Sequence, residues 1–288
     1  MGEKPLYALT DEKKTLDDGT VLHRIRTNYD IPEFGVKAGD VGGWVESLEN
    51  IVKGWVADEA MVYGHAVVDG RRALVSGHAR VSDGASVEDG AVVTEWARVY
   101  GNASIYGMGK VSGQARVCDD ASVADRAHVF GDAFIADQAG VRDDSMVYGA
   151  ACVLDYANTY DNSKVHGDAR ICDVSKVSGN AEVAGWCRLY GRAHVSGEAK
   201  VTRALHILTA EIWTLSHLYV TLFPTKAGHQ VNAGCWSGTV DELSELIAED
   251  SWVESRGEIV EEARPEFEAL IAQLRARIAR WERMKEQK

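Results

Sequence analysis

Five arginines in the middle of the chain are the residues best suited to binding an anion. They are Arg80, Arg98, Arg116, Arg170 and Arg188. A guanidinium group presents its N–H donors in a planar fork that matches carboxylate and phosphate oxygens. An aspartate follows three residues after Arg80, Arg116 and Arg170. The pattern is consistent with ordinary surface Arg–Asp pairs, or with a strip that binds a nucleotide, a phosphate or an acidic partner.

Histidines are the residues on which an enzymatic function would depend. A general base needs a pKa near the working pH and hydrogen-bond reach to its substrate. His128 and His166 are the best-placed candidates, and His65, His78 and His194 are weaker ones. An exposed histidine in a repeat is more often inert, and no catalytic constellation surrounds these five.

Composition excludes several classes of function. The formal net charge of −13 argues against general nucleic-acid binding through the whole surface. The chain contains no long apolar segment, and its first residues lack a signal-peptide core, so we expect no membrane contact. The five cysteines are odd in number and show no C-x-x-C spacing. A reduced cytoplasmic protein with no metal site is the simplest interpretation.

The elements that position these residues follow from a period of six. An aliphatic residue stands at every sixth position from Val75 to Ile207, with Thr159 as the one exception among 23 positions. With few exceptions a small residue lies two positions before each, and a glycine or an acid usually lies four before. Six fits neither the helical period nor simple alternation, so each hexad predicts one short strand and one corner. Glycine and aspartate suit a corner with positive φ.

This small-x-aliphatic pattern resembles the hexapeptide-repeat family. The resemblance implies an all-β solenoid, a left-handed parallel β-helix with three strands in each eighteen-residue coil and about eight coils in all. The segment Gly42-Gly43-Trp44-Val45-Glu46-Ser47, followed by Glu49-Asn50, is similar to the first-coil motif of YdcK-type bacterial β-helix proteins. That family is labelled as acetyltransferases largely because of its fold, and a fold does not fix a function.

With three faces, the outward residues fall into columns. The five arginines share one column, which Phe134 and Cys152 interrupt. Apolar and aromatic residues cluster in the middle coils: Phe130, Met146, Tyr148, Phe134 and Leu154. Such a patch more often marks an interface than free surface, so we expect a homo-oligomer, with a trimer favoured. Packing of the C-terminal module against the patch is the alternative.

The chain divides into three parts. Residues 1–50 are predicted to form an N-terminal hairpin cap and the first-coil motif, residues 51–209 the β-helix, and residues 210–288 a small α+β module. Thr239 and Glu242 form a capping-box pattern for one helix of the module. A last helix from about Arg264 carries an apolar stripe, which either packs within the module or joins subunits. The segment from Gly234 to Thr239 resembles a ββα module common in phage and prophage proteins.

We therefore expect a non-catalytic binding or scaffold protein that engages an unidentified protein or an anionic ligand and needs no cofactor. The resemblance of the C-terminal module to phage and prophage proteins implies a phage-encoded protein whose partner belongs to a host pathway. The alternative is a coenzyme-A-dependent acyltransferase, with acetyl-CoA as its cofactor and His128 or His166 as base between subunits of a trimer. Family acyltransferases generally interrupt the helix with an extended loop, and no insertion occurs between Val75 and Ile207.

Overall fold

The computed structural model describes residues 5–213, 217–249 and 258–286. The chain forms a parallel β-solenoid of about nine turns, followed by a small module of one β-sheet and two helices. The predicted fold class, an all-β solenoid with a C-terminal α+β module, is confirmed. The predicted N-terminal cap begins at residue 1, and its first four residues lie outside the described residues.

The strands of the solenoid form three faces. Face 1 contains Val41–Val45, Met61–Val62, Arg80–Val81, Arg98–Val99, Arg116–Val117, Phe134–Ile135, Cys152–Val153, Arg170–Ile171 and Arg188–Leu189. Face 2 contains Ser86–Glu88, Ser104–Ile105, Ser122–Val123, Gly140–Val141, Asn158–Thr159, Lys176–Val177 and His194–Val195. Face 3 contains Val92–Val93, Lys110–Val111, His128–Val129, Met146–Val147, Lys164–Val165, Glu182–Val183 and Lys200–Val201. Two longer strands, Ile51–Val56 and Val67–Val75, run through both face 2 and face 3 in the first coils.

Each strand pairs with the strand eighteen residues later, as Arg98 does with Arg116. This register places the aliphatic residues of the hexads from Val75 to Val201 inside, where full burial of each Val contributes roughly 1.5–3 kcal/mol. Ile207, the last of the series, is only partly buried and follows a 3₁₀ turn at Ala204–His206. Thr159 is also fully buried, and its hydroxyl lies 3.4 Å from that of Ser145. Ser163 is equally buried, but its hydroxyl has no hydrogen-bond partner in the described part of the chain.

The corners are held by aspartates in the left-handed conformation. Asp143 and Asp161 have φ of 56° and 57°, as the acid position of the hexad predicts. Their side chains bond to the next coil: an Asp143 carboxylate oxygen accepts the N–H of Asp161 at 3.0 Å, and Asp161 accepts the N–H of Gly179 at 2.8 Å. The corner carboxylates therefore act as links between successive coils.

A hairpin covers the N-terminal end. Its strands, Tyr7–Thr15 and Val21–Thr27, pair antiparallel, and the second pairs antiparallel with Val41–Val45. Short 3₁₀ turns follow at Pro32–Phe34 and Leu48–Asn50. The glycine pair of the first-coil motif is required by close packing, because a Cβ on Gly42 would lie 2.4 Å from the Val56 carbonyl oxygen. Asn50 is buried and donates to the Gly64 and Ala66 carbonyls at 3.0 and 2.9 Å.

The C-terminal module has four antiparallel strands, Leu208–Ile212, Leu218–Thr225, Gly228–Ala233 and Trp236–Gly238. Helix α1 spans Val240–Ala248 and begins with the predicted capping box of Thr239 and Glu242. Helix α2 spans Glu258–Glu286, and its apolar stripe, including Phe267 and Leu274, packs into the core of the module. In the described parts of the chain, neither helix is long and apolar enough to cross a membrane.

The module closes the C-terminal end of the solenoid. Phe223 is fully buried and belongs to the solenoid core. Side chains of the module bond to the last coil: Thr221 Oγ1 accepts the N–H of His194 at 3.1 Å, and Asn232 Nδ2 donates to the His194 carbonyl at 2.8 Å. Arg277 also donates to the Ile207 carbonyl at 2.8 Å. These bonds satisfy backbone groups that an open solenoid end would expose.

Candidate functional site

The five arginines form one exposed column on face 1. Strand pairing places them in the order Arg80, Arg98, Arg116, Phe134, Cys152, Arg170 and Arg188. Among the described residues, no carboxylate lies within 4.0 Å of any of these five guanidinium groups. The Arg116 guanidinium lies instead over the Phe134 ring, 5.0 Å from its centroid. The column thus presents positive charge that no ion pair within 4.0 Å compensates in the described structure.

The corner aspartates next to face 1 do not neutralise the column. Asp83 accepts the N–H of Gly101 at 3.2 Å, Asp119 that of Asp137 at 3.4 Å, and Asp173 that of Gly191 at 2.7 Å. The structure therefore shows no Arg–Asp pairs of the ordinary kind at these positions. Such a pair does occur at another corner, where Arg126 Nε donates to Asp144 Oδ1 at 2.6 Å and holds the pKa of that carboxyl below its usual range.

A groove of about 480 Å³ opens beside the column. It is lined by Trp96, Arg98, Gln114, Arg116 and Asp132. Trp96 stands on the corner before face 1 and is 60% exposed. Its ring stacks on His78 of the preceding coil, with centroids 4.0 Å apart and planes 15° from parallel. Trp96 is the functional candidate that the sequence analysis missed, although its eighteen-residue offset from both His78 and Gln114 marks a shared column.

The two candidate catalytic histidines belong to one aromatic ladder on face 3. Phe130 stacks on Tyr148 with centroids 4.8 Å apart, and Tyr148 stacks on His166 at 4.7 Å. His128 lies at the other end, 4.4 Å from Phe130. Burial, and then the charge of Lys110, lower the pKa of His128. The structure therefore brings His128 and His166 into one stack, at opposite ends of it.

Both histidines have hydrogen-bond partners. His128 Nε2 lies 3.0 Å from the Ser112 hydroxyl. His166 Nε2 lies 3.3 Å from Glu182 Oε1, and the other oxygen of that carboxylate, Oε2, lies 3.7 Å from Lys200 Nζ. Only His166 therefore has the carboxylate contact by which a general base is commonly oriented.

The predicted interface residues lie around one corner of the solenoid. Phe130, Met146 and Tyr148 are on face 3, whereas Phe134 and Leu154 are on face 1. Met146 is exposed, and the other four are half-buried. Because the rings of Phe130 and Tyr148 stack on each other, part of the apolar surface of this patch is already covered within the chain.

Metal and redox sites are not apparent in the described ranges. No three His, Cys, Asp or Glu side chains are arranged there to hold a metal ion. None of the five cysteines forms a disulfide bond in the described structure, and burial raises the pKa of the Cys118 thiol to about 11. A thiol with so high a pKa is a poor nucleophile.

A second cavity lies where the module meets the last coils. It measures about 410 Å³, and Lys176, Arg192 and His194 line it together with Thr221 and Asn232. Burial, followed by the charge of Lys176, lowers the pKa of His194. The Arg192 guanidinium lies over the Tyr219 ring at 5.4 Å. This cavity is a second basic surface, separate from the arginine column.

Comparison with known proteins does not assign the chain to a family: no family model matches it, and no curated protein is significantly similar to it in sequence. A functional assignment must therefore come from the geometry of the arginine column, the groove and the ladder.

Proposed function

We propose that this protein is a non-catalytic binding or scaffold protein whose arginine column engages an anionic partner. One observation carries the proposal: five exposed arginines share a column without a carboxylate within 4.0 Å in the described structure, while the neighbouring aspartates bond to backbone N–H groups. Stacked coils are ~4.8 Å apart, and two unit charges at that distance repel by about 1 kcal/mol even in water. An anionic partner would relieve that repulsion.

An acidic polypeptide segment suits the column best. From Arg80 to Arg188 the column spans six coil steps, or about 29 Å at ~4.8 Å per coil. An extended peptide covers that length with about nine residues at ~3.3 Å each. The net charge of −13 disfavours nucleic acid, which would approach along a much larger surface.

Binding of a labelled decaglutamate peptide at low salt tests the proposal. We expect a variant with Arg98, Arg116 and Arg170 changed to Glu to lose at least tenfold in affinity. A matched control reverses Lys110, Arg142 and Lys164, which are exposed on the other two faces and change the net charge equally. Absence of peptide binding by the unaltered protein, or an equal loss in both variants, would rule out the column as a binding site for an acidic polypeptide.

Assembly and origin are parts of the same proposal. The aromatic patch around Phe130 and Met146 supports a homo-oligomer, with a trimer favoured, and the solution mass of the full chain tests it.

The first-coil glycines and Asn50 support a YdcK-type β-helix, because their contacts require those residue types. A cytoplasmic, phage-encoded protein that acts on a host pathway remains the proposed setting, with the C-terminal module as a phage-type cap.

Acyl transfer is the second candidate, and the His166–Glu182 contact is the observation that favours it. A carboxylate beside the imidazole would orient His166 as a general base, with acetyl-CoA as the acyl donor. The uninterrupted array counts against it. Calorimetry with acetyl-CoA separates the candidates, because saturable binding supports the enzyme and no heat at millimolar ligand removes it.

A further inference from the structure

We infer that the groove beside Trp96 is a binding site for a nucleoside monophosphate, with the base stacked on Trp96 and the phosphate held by Arg98 and Arg116. The inference deepens the proposed function and rests on it in one respect, because both arginines belong to the column. The proposed function places an acidic polypeptide along the whole column, whereas here a small ligand occupies one place beside it. The volume of about 480 Å³ lies within the usual range for small-molecule sites.

Trp96 is oriented as a stacking platform. His78 covers one face of the indole in a nearly parallel stack, and it belongs to the coil before Trp96. The opposite face therefore points along the solenoid axis toward the next coil. The equivalent corner position there is Gln114, whose side chain is smaller than an indole and leaves the groove open. Aromatic platforms of this kind bind bases through their π-faces.

Arg98 and Arg116 supply the site for the phosphate. They are direct neighbours on adjacent coils and border the same groove. Two guanidinium groups can each make paired N–H bonds to a phosphate, and this geometry is a common basis for phosphate recognition. Because the described structure gives neither group a carboxylate partner within 4.0 Å, a phosphate would not have to displace one.

The rest of the lining does not select one base. Gln114 stands one coil beyond Trp96, beside a base stacked on the indole, and its amide offers one donor group and one acceptor to the edge of any base. Asp132 stands a further coil along the same column, so it faces the ring plane of the stacked base rather than its Watson–Crick edge. We therefore expect the groove to bind nucleoside monophosphates without a strong preference for the base.

Titration of the full-length protein with guanosine 5′-monophosphate, followed by calorimetry, tests this inference. We expect saturable 1:1 binding that weakens at least tenfold in Trp96→Leu and in Arg116→Gln. Adenosine 5′-monophosphate should bind with an affinity within a few-fold of that of guanosine 5′-monophosphate, because stacking on an indole is tolerant of the base. Guanosine alone and inorganic phosphate alone should each bind more weakly than the nucleotide, because each occupies only part of the groove.

Two controls locate the ligand. Trp186→Leu removes an indole that is 74% exposed on the same corner, five coils away, and should leave binding unchanged. Lys176→Gln alters the cavity between the solenoid and the module and should also have no effect. No binding at millimolar nucleotide, unchanged binding in Trp96→Leu, or loss of binding in Lys176→Gln would each overturn the inference.

The same variants separate this inference from the proposed function. Trp96→Leu keeps all five arginines, so its decaglutamate binding should equal that of the unaltered protein. If the unaltered protein binds the peptide but not the nucleotide, only this inference fails. If it binds the nucleotide through Trp96 but not the peptide, the proposed peptide partner fails and the nucleotide site stands.

Discussion

Ser163→Ala should make the protein more stable, although it removes a polar group from the middle of the array. Ser163 occupies the small position two residues before Val165, and its hydroxyl is buried without a partner in the described structure. A buried hydroxyl that lacks a hydrogen bond costs about 1–3 kcal/mol. Alanine fills this position in most hexads, so the backbone accepts it without change.

We expect a gain of about 1–2 kcal/mol in the free energy of unfolding, because the small void left by the oxygen cancels part of the benefit. For a body of this size that corresponds to roughly 2–8 °C in Tm. Urea unfolding followed by circular dichroism measures the change, and the coils around Val165 should unfold at higher urea.

Ser145→Ala is the matched control, because Ser145 holds the same position one coil earlier and is equally buried. Its hydroxyl donates to the Thr159 carbonyl at 3.3 Å, so its removal should be neutral or cost up to about 1 kcal/mol. Equal gains in both variants, or no gain in Ser163→Ala, would refute the reasoning that the missing partner sets the stability at this position.

Two further predictions concern the C-terminal module. His229 Nε2 accepts the N–H of Val240 at 3.1 Å, and burial lowers its pKa despite the opposing charges of Asp241 and Glu282. The unfolded chain then binds the proton first, so stability is full above pH ~6.5 and falls as the pH drops toward the folded pKa. Tm between pH 5 and 8 should vary less in His229→Gln, and an unchanged profile would contradict this. Phe223→Ala should lower the free energy of unfolding in urea by about 3–5 kcal/mol, because it leaves a cavity at the end of the solenoid core. A decrease below about 1 kcal/mol would show that the Phe223 ring is not needed to close that end.

The repeat made most of the fold predictable from sequence. A strand-and-corner unit repeated many times leaves one consistent arrangement, and the conformational needs of a corner select the residue types. The C-terminal sheet was harder to predict, because only its central hairpin carries a clear turn signal. Its first strand, Leu208–Ile212, begins directly after the last hexad, and its last, Trp236–Gly238, has three residues. Strands this short, or adjoining another pattern, give little periodicity of their own.

The site was predictable only in part, for a different physical reason. The column of arginines follows from the register, but the direction of a side chain at a corner does not. An aspartate with positive φ turns its carboxylate along the axis toward the next backbone N–H, as Asp173 does toward Gly191. For Trp96 the same register gives the neighbours, His78 and Gln114, but it does not show that the rings of Trp96 and His78 stack or that a groove opens beside them.

The fold itself does not require arginine in this column. The equivalent outward positions on face 2 carry Ser86, Ser104 and Ser122, which pair through the same parallel register. Two of these serines even contact each other, with hydroxyls 3.3 Å apart. A short polar side chain therefore serves the coil as well as a guanidinium group does, and without repulsion between neighbours. Folding therefore does not need the charges on face 1, which is consistent with the proposal that an anionic partner binds them from outside the solenoid.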